Sequence, residues 1–335
     1  MNPTANDSGL TEVYRFSQSF LYFRYIDGAV ACVCAIALNL LIIASINRMN
    51  RNNLKHFRGL LMALSVLDIC YALASGVTTM GFVYCNGGFL VVITGLTTLG
   101  PPELSHYFYI FYIVTFNAFF ILQPIIFICR YVIICLPQHV HYLEDKFMLC
   151  GAFITACIYC TLQVYCSKNS YSLTDEHPRF EVAETGEEIF KHAHFLTSKD
   201  ADFRITIIES VFLNLLIFTS IGAMVYCSAK IFLFLKQNAI SFTERTRKGQ
   251  RKLTLALILQ TLFPILTGVL PLYVTFYLVF NKVADNHILW YTMLLHVWQP
   301  AISALITIAF VTPVRRAMTG MRKAPSRIFN ITSGI

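Results

Sequence analysis

Two polar side chains lie in the middle of long apolar stretches of this sequence. Asp68 lies within LMALSVLDICYALAS, and Asn39 lies within AIALNLLIIAS. A carboxylate in such surroundings needs hydrogen bonds or a cation, or it takes up a proton. The two residues therefore predict either a polar contact between packed segments or a sodium or proton site inside the protein.

Two charged residues occur in further apolar stretches. Arg130 lies in FICRYVIIC and follows Pro124, which can bend a helix. The arginine either extends to water at the end of its segment or forms a latch that joins neighbouring segments. Glu209 either faces an aqueous pocket or is uncharged.

A dense positive cluster directly precedes another apolar stretch in SFTERTRKGQRKLTLALILQTLFP, residues 241–264. Its charges can stay in water or near anionic lipid headgroups while the apolar residues enter lipid. The cluster is therefore either an anchor of positive charge or a docking surface for a partner protein. It consists of Arg245, Arg247, Lys248, Arg251 and Lys252.

The composition explains what must hold these residues in place. The chain of 335 residues is 56% hydrophobic and only 13% charged, whereas a soluble domain carries roughly 25% charged residues. A helix needs about 20 mostly apolar residues to cross a bilayer, and seven such stretches predict an all-α bundle of seven transmembrane helices. The predicted spans are Phe23–Ile46, Phe57–Val83, Glu103–Cys135, Phe147–Cys166, Arg204–Leu235, Leu253–Phe280 and Ile288–Val311.

The segment Phe82–Thr98 is also apolar, but its glycines weaken a helix and Pro101 with Pro102 follow it. We predict a loop packed on the membrane face or a re-entrant loop. Cys157 and Cys160 form a CxxC pair without a second pair, so we predict no zinc site and no other metal site.

The positions of the basic residues predict the orientation, because Lys and Arg concentrate on the cytoplasmic side. Most of the 26 basic residues lie in alternate connections and in the C-terminal tail, which predicts an external N-terminus and an internal C-terminus. The predicted divisions are an extracellular tail (1–22), a seven-transmembrane domain (23–311) and a cytoplasmic amphipathic helix with a tail (312–335).

Two modifications are predicted on the outer side. Asn6 begins the sequon Asn-Asp-Ser and is a candidate for glycosylation. Cys85 and Cys166 fall near the outer ends of their spans, and we predict a disulfide between them.

A ligand pocket is predicted to open outward among the third, fifth, sixth and seventh spans. Aromatic walls with a few polar groups suit small organic ligands, although aromatic residues also pack in this way without a ligand. The predicted lining is His106, Tyr109, Tyr112, Thr115, Phe116, Glu209, Tyr273, Tyr277, His296 and Gln299. Pro264 and Pro271, seven residues apart, predict a bent sixth helix that moves as a lever.

An external N-terminus, the Arg130–Tyr131 pair at the end of the third span and the bent sixth span together resemble a G-protein-coupled receptor. The sequence is similar to the nematode chemoreceptors of the Str-type superfamily, which include the str, srj and srd classes. The resemblance extends from Asn39 to the basic stretch TPVRRAM and includes LMALSVLDICYALAS. Its most specific residues are Thr243, Gln250, Leu253, Leu257, Gln260 and Pro264.

The resemblance implies a chemosensory receptor in the plasma membrane, in the sensory cilium of a chemosensory neuron. It implies that a small, odorant-like molecule binds from outside and that a heterotrimeric G protein docks inside. Arg130, Tyr131, Pro264 and the basic cluster would then form the switch and the docking surface. The implied partners include membrane lipids but no nucleic acid, and neither an enzyme activity nor a cofactor is implied.

The sequence departs from the rhodopsin-like pattern at three places. Cys129 replaces the acidic residue before Arg130, QTLFP replaces the tryptophan switch, and Gln299–Ser303 lacks the expected tyrosine. Only the arginine latch is therefore carried over.

Other classes of membrane protein predict different features. A transporter would usually show an internal repeat, and a membrane enzyme would show clustered histidines or carboxylates; the sequence shows neither. A seven-span ligand-gated channel would have the opposite orientation.

Overall fold

Helices occupy all seven apolar stretches that the sequence predicts to span a membrane. The computed structural model describes residues 14–16, 18–48, 58–85, 88–144, 146–174, 180–182, 193–197, 203–238, 255, 258–280 and 286–318. The first five long helices are α1 (Gln18–Arg48), α2 (Arg58–Thr78), α3 (Pro102–Cys135), α4 (Lys146–Ser170) and α5 (Phe203–Gln237). The later ones are α6 (258–280), α7 (Asn286–Val297), α8 (Gln299–Phe310) and α9 (Thr312–Met318).

Four of the described helices are individually long and apolar enough to cross a membrane, namely Ser19–Arg48, Arg58–Thr78, Pro102–Cys135 and Ile208–Gln237. Shorter apolar helices lie in the sixth and seventh spans. Large apolar side chains on the outer faces of α4 and α5, such as Ile158 and Phe218, are exposed. Such exposure is expected where the surrounding solvent is lipid rather than water.

The seventh span consists of two helices, α7 and α8, which are separated by a turn at Trp298. Pro300 lies in the first turn of α8. Because proline has no N–H group, it cannot donate to the carbonyl four residues before it, and it is tolerated best at the start of a helix. The break in the span therefore follows from this proline.

α3 is the central helix of the bundle and packs against α2, α4 and α5. Its aromatic face supplies much of the core. Tyr109, Phe116 and Phe120 belong to one buried cluster, which also includes Tyr71 of α2 and Ile217 of α5. This packing places the polar side chains of α3 next to those of the other helices.

A four-stranded antiparallel sheet covers one end of the bundle, which we call the sheet end. Its order is β2 (Met80–Cys85), β3 (Gly88–Ile93), β6 (His194–Thr197) and β4 (Ser172–Thr174). Phe82 pairs with Val91 across the first two strands, and Val92 pairs with Phe195 across the next two. A separate parallel pair joins β1 (Tyr14–Phe16) to β5 (Phe180–Val182).

The sheet corrects two predictions. The segment Phe82–Thr98 is not a loop or a re-entrant segment, because most of it forms the hairpin of β2 and β3. The second span ends at Thr78 rather than Val83. The residues Val91, Val92 and Ile93 are fully buried, and β-branched residues of this kind favour a buried strand.

The end of the bundle away from the sheet is called the opposite end. There, Val314 of α9 is fully buried against Ile42 and Ile46 of α1. The predicted amphipathic helix is thus present as the short helix α9, and Met318 packs partly against the same cluster. The rest of the predicted helix and tail, residues 319–335, lies outside the described part of the chain.

Candidate ligand-binding site

Three aromatic side chains from two helices, α2 and α3, surround one buried histidine of α7 at the centre of the bundle. The ring of His296 of α7 lies 5.9 Å from that of Tyr112, 5.3 Å from that of Phe116 and 5.8 Å from that of Tyr71, measured between centroids. Tyr71 and Tyr112 stack on each other at 5.4 Å. Tyr112, Phe116 and His296 were predicted as ligand residues, whereas Tyr71 was missed.

His296 also holds the bend of the sixth span. Its Nδ1 lies 3.0 Å from the backbone carbonyl oxygen of Thr267, and because a carbonyl only accepts, Nδ1 must carry the proton. Thr267 is four residues before Pro271, which cannot donate to this carbonyl. The histidine therefore replaces the intrahelical donor that the proline removes.

The backbone at this bend forms a π-helical turn, Ile265–Val269, between the two prolines of α6. π-helical turns within α-helices often occur at functional sites. A Cβ atom on Gly268 would lie 2.8 Å from Oε1 of Gln299, so only glycine allows the amide of α8 to approach this turn so closely. The π-helical turn of α6 thus lies where α7 and α8 contact this helix, and the movement of α6 as a lever stays a prediction.

A cleft opens beside His296 toward the sheet end. It encloses about 370 Å³ of empty space, solvent included. Its wall includes the predicted residues Tyr112 and His296, and the sequence reasoning missed the others. These are Arg24, Asp27, Gly28, Ser75, Thr79, Met80, Met293, Leu294 and Val297.

Two charged residues of α1, Arg24 and Asp27, form one wall of this cleft. Arg24 is only 5% exposed. Its Nη2 donates to the backbone carbonyl of Met80, and its guanidinium carbon lies 4.2 Å from the ring centroid of Trp290. Asp27 accepts a hydrogen bond of 2.9 Å from Nε1 of Trp298. Each residue is thus held by a tryptophan of the seventh span.

Both charged residues keep one buried polar atom that has no hydrogen-bond partner among the described residues. These atoms are Nη1 of Arg24 and Oδ2 of Asp27. Buried polar atoms are nearly always paired, so each exception calls for an explanation. The sequence carried a signal for this wall, since Arg24 and Asp27 are three residues apart on one face of an apolar helix.

Thr79, which connects α2 to β2, also lines the cleft and has a φ of +41°. Positive φ is unusual for a β-branched residue and costs about 1–3 kcal/mol. The strained residue is held by the hydroxyl of Thr94, which donates to its carbonyl at 2.9 Å. Such strain is often stored at functional sites.

Other predicted ligand residues lie away from the cleft. Tyr109 packs against Tyr171 at 5.2 Å, and the hydroxyl of Thr115 bonds to carbonyls of its own helix. His106 is half-buried near the start of α3. The ring of Phe116 is buried in the cluster around His296.

Glu209 lies between α4 and α5. Its Oε1 accepts hydrogen bonds from Ser167 at 2.6 Å and from Gln163 at 3.1 Å. The structure therefore places this carboxylate against α4, away from the His296 cluster.

Two tyrosines of α6 point away from the cleft. The hydroxyl of Tyr273 donates to Oδ1 of Asn214 in α5 at 2.5 Å, and Tyr277 is 66% exposed on the outer surface. Neither residue lies on the wall of the cleft beside His296.

A second cavity lies below the π-helical turn, further from the sheet end. It encloses about 260 Å³ of empty space, solvent included, and is lined by Phe119, Gln123, Gln260, Phe263, Pro264, Thr267, Gln299, Ser303 and Ile306. Gln299, a predicted ligand residue, therefore faces this cavity rather than the cleft. Both cavities touch the Thr267–His296 contact, one from each side.

The predicted latch residue Arg130 joins α3 to α6. It is 8% exposed, and its Nη1 donates to Oε1 of Gln260 at 2.6 Å. Beside this contact, the hydroxyls of Ser228 and Thr261 lie 3.5 Å apart between α5 and α6. Tyr131 packs against Tyr226 of α5 with the ring centroids 6.3 Å apart.

The two intramembrane polar residues are both buried but use different partners. Asp68 accepts a hydrogen bond from Ser303 of α8. Asn39 donates to the carbonyl of Ala35 in its own helix at 3.0 Å, and its Oδ1 has no partner among the described residues. The carboxylate is thus satisfied from α8.

The sheet is tied to α3 by a contact between Oγ of Ser105 and Nδ1 of His194, which are 2.8 Å apart. Burial lowers the pKa of His194, and the negative charge of Glu103 acts in the opposite direction. The neutral form of this histidine therefore fits the folded sheet end best.

Several predicted sites fall wholly or partly outside the described residues. They are Asn6 and the basic cluster of Arg245, Arg247, Lys248, Arg251 and Lys252. Cys166 is a buried free thiol, and the side chain of Cys85 is not among those described, so their disulfide stays a prediction.

Comparison with known proteins identifies the family. The sequence model described as "Serpentine type 7TM GPCR chemoreceptor Str" matches residues 25–319. No curated protein sequence matches the chain. The matched range contains all the spans of the bundle except the first turns of α1, together with the Arg130–Gln260 contact and the cleft apart from Arg24, which lies just before the range. The chain therefore belongs to the Str family of serpentine seven-transmembrane chemoreceptors of the G-protein-coupled receptor type.

Proposed function

We propose that this receptor binds a small organic molecule from outside at the cleft beside His296 and then activates a heterotrimeric G protein at the opposite end. The protein would act in the plasma membrane, in the sensory cilium of a chemosensory neuron. One observation carries the proposal. His296 lines the cleft and at the same time bonds to the π-helical turn of α6 through Thr267.

The orientation is supported by the distribution of positive charge. The connections Asn47–Arg58 and Lys230–Lys252 join helices at the opposite end, and both are rich in Lys and Arg. The hairpin of β2 and β3 has no basic residue between Met80 and Ile93. The positive-inside rule then puts the sheet end, with its cleft, outside the cell.

The contacts suggest how occupancy of the cleft reaches the cytoplasmic side. A ligand that contacts Tyr112 and His296 changes the position of the histidine that supports the Thr267 carbonyl. Because this carbonyl has no proline N–H to bond with, the bend of α6 depends on His296. The same helix carries Gln260, whose bond to Arg130 joins α3 and α6.

The receptor would exchange between two arrangements of α6, one with and one without the bond from Arg130 to Gln260. A ligand shifts this equilibrium only by the difference between its affinities for the two arrangements. The ligand would favour a bend in which Gln260 has moved away from Arg130. The freed surface between α3, α5 and α6 would then bind the G protein, with the basic cluster before α6 supplying part of the contact. Anionic lipid headgroups would hold the remaining positive charge.

The proposal can be tested by expressing the full chain with an N-terminal epitope tag in cultured cells and screening small volatile molecules with a calcium or cyclic-nucleotide readout. We expect an external tag and a ligand-dependent signal. His296→Phe should abolish most of the signal at normal surface level. His296→Asn, whose amide places a donor near the position of Nδ1, should retain part of it.

Tyr277→Phe is the matched control, because Tyr277 is exposed on the outer surface of α6. It should signal like the unmodified chain. A cytosolic N-terminus would exclude the receptor orientation and favour a seven-span channel. A normal signal from His296→Phe would exclude the proposed route through the π-helical turn.

A further inference from the structure

The charged wall of the cleft indicates which class of ligand the receptor binds. We propose that the ligand is a small carboxylic acid that also carries a hydroxyl or ammonium donor, bound between Arg24 and Asp27. This inference rests on the proposed function in one respect, that the cleft beside His296 is the ligand site.

Arg24 is the positively charged residue in the wall of the cleft. Its guanidinium is almost fully buried within a helix that crosses the membrane, where a charge is costly and usually functional. Its Nη2 donates to one carbonyl and its guanidinium stacks on one aromatic face, whereas Nη1 has no hydrogen-bond partner in the described part of the chain. A carboxylate is the acceptor that fits a guanidinium best, since it offers two oxygens and the opposite charge.

Asp27 lies one turn further along the same face of α1 and also lines the cleft. Trp298 donates to Oδ1, and Oδ2 accepts no hydrogen bond from any residue that the structure describes. A carboxylate ligand alone would be repelled by Asp27. A ligand that also carries a donor, such as a hydroxyl or an ammonium group, turns this repulsion into a second hydrogen bond.

The side of the cleft that faces α1 differs in character from the charged side. Opposite α1, the cleft is lined by Tyr112, Met293 and His296, which offer mainly apolar and aromatic surface. A ligand with its acid and donor at one end and a small apolar body at the other matches both walls.

Arg24 and Trp290 are held firmly beside β2. A Cβ atom on Gly81 would lie 2.7 Å from the Trp290 ring and 3.1 Å from Nη1 of Arg24, so the backbone of β2 presses directly on this stack. Trp290 is itself fixed, because its Nε1 donates to the carbonyl of Phe82 at 3.0 Å. An arginine that is held in place in this way loses little freedom when it binds an acid.

The experiment compares three related probes on the full chain in lipid nanodiscs, with binding measured directly by calorimetry. The probes are 2-hydroxy-3-methylbutanoate, its methyl ester, which lacks the charge, and 3-methylbutanoate, which lacks the donor. We expect the hydroxy acid to bind most tightly. Because a hydrogen bond to a charged group is worth a large factor in affinity, the ester should bind about tenfold to a hundredfold more weakly.

Two variants assign the effect to the two residues. Arg24→Gln should remove the preference for the acid over the ester, and Asp27→Asn should reduce the preference for the hydroxy acid over 3-methylbutanoate. Arg48→Gln, at the exposed far end of α1, is the matched control and should bind all three probes like the unmodified chain. If Arg24→Gln does not fold, the comparison of acid and ester on the unmodified chain still decides.

Equal binding of the hydroxy acid and its ester would overturn the inference, because Arg24 would then contribute nothing to recognition of the acid. If none of the three probes binds, the inference is overturned as well. The signalling assay separates the two proposals. A signal from neutral molecules without acid binding would leave the receptor function intact and remove the acid specificity. Acid binding without any signal would support the specificity and contradict the coupling.

Discussion

Two arginines are buried in the described part of the bundle, and they are held in different ways. Arg24, at the sheet end, contacts a backbone carbonyl and a tryptophan ring that is fixed by its own hydrogen bond. Arg130, toward the opposite end, reaches the flexible side chain of Gln260 on the bent helix α6. Rigid partners suit a binding wall, whereas a side-chain contact between two helices can break when one helix moves. Under the two proposals, the same residue type would thus serve two tasks.

The largest effect that separates the two arginines should be on stability. Arg24→Gln removes the stack on Trp290 and weakens the bond to the Met80 carbonyl, and we expect a loss of about 2–4 kcal/mol. Arg130→Gln should cost less, because its surroundings can rearrange around Gln260. Thermal unfolding of both variants in detergent would measure the difference, and a greater loss from Arg130→Gln would contradict it.

The second effect should be on signalling without ligand. Gln260→Leu removes the acceptor of Arg130 and should raise basal signalling about tenfold, the change expected from one hydrogen bond to a charged group. Gln260→Glu should lower it, because a carboxylate holds the guanidinium more strongly.

Leu262→Ala, at an exposed position on the same helix, is the control for these signalling measurements. It should leave the basal signal unchanged. A basal signal from Gln260→Leu that equals that of the control, at equal surface level, would rule out Arg130 as a latch.

A smaller effect concerns the contact that connects the two regions. His296→Phe leaves the Thr267 carbonyl without its donor and should cost about 1–2 kcal/mol. In a Pro271→Ala background the cost should be smaller, because the alanine N–H can bond within the helix. The double-mutant cycle measures this coupling by thermal unfolding. Strictly additive losses would show that Pro271 and His296 act independently.

The smallest effect should be a dependence on pH at the sheet end alone. Because burial lowers the pKa of His194 below its ordinary value of 6.5, the unfolded chain binds the proton more readily than the folded one. Stability is therefore fully present above about pH 6.5 and decreases as the pH falls below it. His194→Gln should reduce this decrease between about pH 7.5 and pH 5.5 in thermal unfolding. An unchanged pH profile would contradict the assignment.

The helical spans could be predicted because each apolar stretch is long enough to cross a bilayer. The sheet could not, because the apolar residues after Thr78 suit a helix and a strand equally well. A signal was nevertheless present. Asn86 and Gly87 separate two apolar runs, and an Asn-Gly pair between such runs is typical of a two-residue hairpin turn.

The residues that line the cleft beside His296 were predicted in part. Tyr112 and His296 were found from their residue types and their positions in the spans. Arg24 and Asp27 were missed because charged residues near the end of a span usually extend to water. Tyr277 was misplaced because the π-helical turn rotates the side chains that follow it in α6 to a different side of the helix. No periodicity in the sequence marks such a turn.

The sequence by itself determined that lipid is the solvent of this chain, how many helices cross it, and which family the chain belongs to. Apolar content and length decide these properties without any contact between helices. Only the tertiary structure decided which polar groups meet, such as Arg24 with Trp290, His296 with Thr267 and Arg130 with Gln260. A helix that faces lipid is apolar all round, so its sequence carries little information about which side faces its neighbours.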